Sequence, residues 1–92
     1  MIIDIKAMQT QEEILAAMAE IRVMAKGKVT VSRRSKTGRA YHSLQARKNG
    51  RNETRYVPEA KLAAVRAATA NYRQFMALVQ RYVELCESRL DL

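Results

Sequence analysis

The chain has 92 residues, 48% of them hydrophobic, which is enough for one domain with a thin core and too apolar for a disordered tail. Trp is absent and Phe occurs once, so aliphatic residues, Met and four Tyr must supply that core. The net charge is +8, while Cys86 is the single cysteine, which excludes an intramolecular disulfide and points to a reducing compartment.

Met1 to Met8 alternates weakly and reads as a short edge strand or an arm; Asp4 within it does not suit a secretory signal. Thr10-Gln11-Glu12-Glu13 is a capping box, the pattern that satisfies orphan amides at a helix start. Ile14, Met18, Ile21 and Ala25 then follow at helical spacing, and Gly27 supplies a stop, so a first helix is expected over 11–25.

From Lys28 the period changes to two. Thr37-Gly38 and Asn49-Gly50 divide the segment into three runs, and Asn-Gly is among the strongest two-residue hairpin signals because both positions tolerate positive φ. With two-residue loops, Lys36 pairs with Arg39, Val31 with Leu44 and Val29 with Ala46 in the first hairpin. In the second, Lys48 pairs with Arg51, Leu44 with Arg55 and His42 with Val57. One face then carries Val29, Val31, His42, Leu44 and Val57, and the other Lys28, Arg34, Arg39, Tyr41, Gln45, Arg47, Asn52, Thr54 and Tyr56. Arg33 and Arg55 fall nominally on the apolar face, where they must sit at its edge, pair with an acid such as Glu53, or mark a wrong register. A bulge in the third strand would exchange its faces, so that strand is the less determined one.

Val57-Pro58 ends the sheet, since Pro lacks a ladder donor and suits a first helical turn. The 34 residues beyond it hold no Gly and no Pro. Leu62, Val65, Thr69, Tyr72, Met76, Val79, Val83, Cys86 and Leu90 alternate by three and four, which predicts a long amphipathic helix over 59–90, roughly 48 Å at 1.5 Å per residue. The first helix is about half as long. Either a second copy covers the C-terminal turns, making Val79, Val83, Cys86 and Leu90 self-association residues, or the first helix covers them. The expected fold class is α+β, in the order α-βββ-α: a three-stranded antiparallel sheet between a short N-terminal and a long C-terminal amphipathic helix, in a single domain over 1–92.

Charge is concentrated in the β-segment. Lys26 to Arg55 contains ten basic residues and one acid, Glu53, a net +9, while the other 62 residues total −1. Such segregation points to a polyanionic partner. The expected nucleic-acid contacts are Lys28, Arg33, Arg34, Lys36, Arg39, Tyr41, Gln45, Arg47, Lys48 and Arg51. Lys and Arg neutralise phosphates, Arg and Gln can reach base edges in a major groove, and Tyr41 and Tyr56 can stack on unpaired bases.

Enzyme chemistry finds no such support. His42 and Cys86 lie in different elements, and Glu84 and Glu87 read as a solvated helix face. There is no glycine-rich phosphate loop and no metal quartet, so no cofactor and no metal are expected. No run reaches about 18 apolar residues, so no membrane span is expected, and the cytoplasm is the expected location.

At Val31-Ser-Arg-Arg, Tyr41-His-Ser-Leu-Gln, Lys48-Asn-Gly-Arg and Arg55-Tyr-Val-Pro the chain resembles a family of small uncharacterised bacterial proteins associated with mobile elements. The likeness runs from about Gly27 to the C-terminus. Many members carry a cysteine-rich insertion in the first hairpin, where this chain has only Ser35-Lys-Thr-Gly, so a metal role does not carry over. The layout of three strands and a helix is also similar to the arm-type DNA-binding domains of tyrosine recombinases, which lay their sheet in the major groove. These observations together lead to an expected non-enzymatic nucleic-acid binder, duplex DNA favoured, in a mobile-element or phage setting. The alternatives are a basic interaction module that binds a nucleic-acid-processing protein or nucleoprotein complex, and an RNA or single-strand binder in which Tyr41 and Tyr56 stack on bases.

Overall fold

The computed structural model describes residues 4–33 and 40–91. The element order is a 3-10 turn at Ile5–Ala7, helix α1 (Gln11–Glu20), strands β1 (Lys28–Arg33), β2 (Ala40–Lys48) and β3 (Arg51–Val57), a 3-10 turn at Glu59–Lys61, and helix α2 (Leu62–Glu87). The α+β layout is the one expected, with β2 central in an antiparallel sheet ordered β1-β2-β3. The chain divides into two compact units: Met1–Val23 with Arg73–Leu92, and Met24–Tyr72. Helix α2 contributes its first turns to the second of these and its later turns to the first.

In the unit formed by the two ends of the chain, α1 begins at Gln11 with Thr10 as its N-cap. Thr10 Oγ1 accepts from the Glu13 N–H at 3.2 Å and donates to Glu13 Oε1 at 3.0 Å. The helix is five residues shorter than expected. The chain turns extended at Ile21 (φ −86, ψ 103), whose N–H returns to the Met18 carbonyl. The strand or arm expected before it is a single 3-10 turn at Ile5–Ala7. Ile14 and Leu78 are fully buried and centre this unit's core. Gln11 Nε2 donates to Cys86 Sγ at 3.1 Å, and Arg81 Nε donates to the Met8 carbonyl at 3.1 Å. Arg81 therefore ties α2 to the segment that precedes α1.

The second unit holds the sheet, the turn at 59–61 and the start of α2. Its second hairpin has the expected register: Lys48 opposite Arg51, Leu44 opposite Arg55, His42 opposite Val57. Asn49 (φ 52) and Gly50 (φ 76) both take positive φ, as a two-residue hairpin turn that follows strand twist demands. The first hairpin differs from expectation. Val29 lies opposite Leu44 and Val31 opposite His42, a two-residue shift on β2. Side chains alternate with period two, so this shift leaves every face assignment intact, and face pattern alone cannot detect it. The expected Thr37-Gly38 turn and the Lys36–Arg39 pair lie outside the described residues.

Val57, Ala68 and Thr69 are buried in this unit. The Thr69 hydroxyl is satisfied by the Arg66 carbonyl one turn back at 2.9 Å, so its burial leaves no unpaired polar group. Ala25, expected inside the first helix, instead donates its N–H to the Ala68 carbonyl at 3.0 Å. That bond replaces the intrahelical one it would have made to Ile21, which is why the helix can stop early without cost at this amide.

Helix α2 is ordered over Leu62–Glu87, about 39 Å, and is preceded by the 3-10 turn, so its ends fall inside the expected 59–90. Its covered face departs from the strict three-four stripe. Met76 and Val83 are 44% and 47% exposed, whereas Leu78, off that stripe, is fully buried. The two halves of the helix serve different units and pack different neighbours, and α2 carries apolar residues on more than one face. Among the described residues no helix is long and apolar enough to cross a membrane.

Candidate nucleic-acid interface

The alternation of β-strands sorts the basic segment into two faces. The central column of the polar face is Tyr41, Ser43, Gln45 and Arg47 on β2. The register sets Lys28 beside Gln45 and Thr30 beside Ser43 from β1. From β3 it sets Tyr56 beside Ser43, Thr54 beside Gln45 and Asn52 beside Arg47. Every charged residue at these register positions is cationic. Lys28, Tyr41, Gln45, Arg47, Asn52, Thr54 and Tyr56 are all exposed. Thr30 is half-buried, and its Oγ1 is 3.5 Å from the Ser43 carbonyl, a contact that leaves this hydroxyl committed to the sheet.

Two hollows mark the ends of this face. The first, 390 Å³, is lined by Lys28, Gln45, Ala46, Arg47, Asn52 and Thr54. Ammonium, guanidinium, two amides and a hydroxyl converge there, a donor set that matches the several oxygens of a phosphate. The second, 600 Å³, wraps the end of the sheet where β2 begins and β3 ends: Tyr41 and Tyr56 wall it from the polar face, His42 and Val57 from the other, with Glu59 and Leu62 beyond them. Tyr41 and Tyr56 meet across the strands with ring centroids 6.3 Å apart and planes tilted by 55°. They remain 39% and 64% exposed.

The ten expected contact residues do not form one surface. Lys28, Tyr41, Gln45 and Arg47 share the polar face. Lys48 and Arg51 close the Asn49-Gly50 turn as a pair in register with Ala46 and Leu44, which places them on the opposite face. The physical reason is parity: Lys48 is one residue from Arg47, and adjacent strand residues point to opposite sides. Lys48 Nζ lies 3.8 Å from Glu53 Oε2, with both side chains about half exposed, a surface pair worth at most about 1 kcal/mol. Lys48 thus meets Glu53, the segment's one acid. Arg55 is exposed on β3, an outer strand of the sheet. The backbone of Arg33 pairs with Ala40. Arg34, Lys36 and Arg39 lie outside the described residues. Asn52, Thr54 and Tyr56 complete the polar face from β3, on the side where strand alternation expects them.

The self-association residues also separate. Cys86 receives the Gln11 amide and Val79 is half-buried, so both are engaged within their own unit. Val83 and Leu90 are exposed at 47% and 61%, and Leu90 lies beyond the last turn of α2. The chain matches no family model, no curated protein and no solved structure.

Proposed function

We propose that this chain is a non-enzymatic nucleic-acid-binding protein, with DNA the favoured partner, that uses the polar face of its sheet. The observation that carries the reading is the meeting of Lys28 and Arg47 with the donors Gln45, Asn52 and Thr54 around one hollow. Segregation of charge supports it: the segment from Lys26 to Arg55 is net +9 while the rest of the chain totals −1. Lys and Arg bound to phosphates release condensed counterions, so affinity must fall steeply with salt.

Anisotropy titrations of a labelled DNA across a salt series test this. The double variant Lys28→Gln/Arg47→Gln is expected to bind at least about tenfold more weakly and to flatten the log K against log salt slope by about 1.4 to 1.8, the loss of two phosphate contacts. Absence of binding by the wild type at about 50 mM salt sinks the reading. Tight binding to an acidic protein surface in that case would favour the interaction-module alternative, and a mobile-element or phage setting belongs to the same proposal.

Self-association enters through the exposed side of α2. Met76 and Val83 stand seven residues apart on α2 and are both more than two-fifths exposed, the repeat on which a helix-pairing seam is built. Val83→Glu is expected to shift a concentration-dependent dimer to monomer in sedimentation velocity. A wild type that sediments as a monomer up to high concentration removes the dimer from the proposal.

A further inference from the structure

The polar face is chemically divided along its length. At one end Lys28 and Arg47 stand among neutral donors, with no acid among the described residues that line that hollow. At the other end are two exposed aromatic rings and the carboxylate of Glu59. A carboxylate repels phosphate but accepts hydrogen bonds from the exocyclic amino groups of bases. The two ends are adjacent: Tyr56 shares a cross-strand row with Ser43, and Gln45 is two residues further along β2. Two strand residues span about 7 Å, a distance one sugar-phosphate unit bridges.

The aromatic pair selects among nucleic acids. In a duplex the faces of the bases are stacked on one another, and only base edges and backbone reach a protein. An unpaired strand presents its π-faces, and exposed aromatics on a sheet are the groups that stack on them. The 55° tilt prevents the two rings from sandwiching a base between them, so each ring instead supports the other while an outer face stays open. Tyr56, at 64% exposure, has the more open ring.

Resting on the nucleic-acid reading above, we propose that the ligand is single-stranded: a base stacks on the exposed Tyr41–Tyr56 platform while a neighbouring phosphate sits among Lys28, Gln45 and Arg47. Glu59, which lines the same hollow as the two rings, lies at the edge of the stacked base.

Three labelled DNAs of about twelve nucleotides, within the range such surfaces occupy, test the proposal by anisotropy with the full chain: a mixed-sequence single strand, an abasic strand of equal length, and the duplex. The base-containing strand is expected to bind at least about fivefold more tightly than the abasic one. Tyr56→Leu and Tyr41→Leu should each weaken the base-containing strand at least about fivefold and leave the abasic strand unchanged, while Tyr56→Phe retains affinity. The comparison of wild-type affinities needs no variant, so an unfolded Leu variant does not shield the proposal. Equal affinity for abasic and base-containing strands overturns it, as does a duplex bound more tightly than either. Duplex binding with the expected salt slope would leave the broader nucleic-acid reading standing, whereas failure to bind any of the three overturns both.

Discussion

Gly27→Ala is expected to destabilise the sheet unit by about 3 kcal/mol or more, a large fraction of the total stability of a chain this size. Gly27 has φ +135, a region open almost only to glycine, which costs another residue about 1–3 kcal/mol. A Cβ there would also stand 2.6 Å from the Gln45 carbonyl oxygen and 2.9 Å from Leu44 Cδ1. Leu44 can rotate away, but the Gln45 carbonyl belongs to the central strand and cannot move without disturbing the ladder. The two terms add, so the midpoint of thermal unfolding should fall by about 12 °C or more. Gly50→Ala is the control. Its φ is +76 with nothing within 4 Å of an added Cβ, so only the left-handed backbone penalty of about 1–2 kcal/mol applies. Amide exchange in β1 and β2 would report the difference directly, and equal losses for the two variants would refute the close-approach argument. Gly27 reads in the sequence as a helix stop; its position beneath Gln45 gives it a different task.

Leu78→Ala is expected to cost about 2–5 kcal/mol, and Met76→Ala less than about 1 kcal/mol. Leu78 is fully buried in the unit it shares with Ile14, so truncation leaves a cavity as well as losing transfer free energy. Met76 is 44% exposed, and the shortened side chain gives space back to water. Chemical denaturation of the two variants separates the face α2 actually covers from the face a strict heptad predicts. Should Met76→Ala prove the more damaging, the assignment of the inner face would be wrong. Such an outcome would also remove Met76 from the proposed self-pairing seam.

Where residues compete only with their chain neighbours, the sequence was legible. The helix cap at Thr10, the Asn49-Gly50 turn and the Pro58 junction each depend on local geometry that a few residue types satisfy, and all three stand where local chemistry puts them. The second hairpin followed from its turn, since a two-residue loop sets every pair beyond it. The first hairpin did not, because a shift of two residues keeps hydrophobic and polar faces unchanged. Four of the ten expected contacts, Lys28, Tyr41, Gln45 and Arg47, proved to share a face. Lys48 and Arg51 were grouped with them by charge and separated from them by strand parity.

By itself, then, the sequence determined the α-βββ-α order, the concentration of positive charge in the β-segment and the sides of its strands. Those properties rest on local propensity, on turn chemistry and on the period of two. Only the tertiary structure decided where the first helix ends, which face of α2 is covered and what partners Gly27 and Arg81 meet. These depend on neighbours distant in the chain: the Ala68 carbonyl that takes the Ala25 amide, the Gln45 carbonyl above Gly27, the Met8 carbonyl that receives Arg81. A helix with apolar residues on several faces offers several burials, and the choice among them belongs to whatever packs against it.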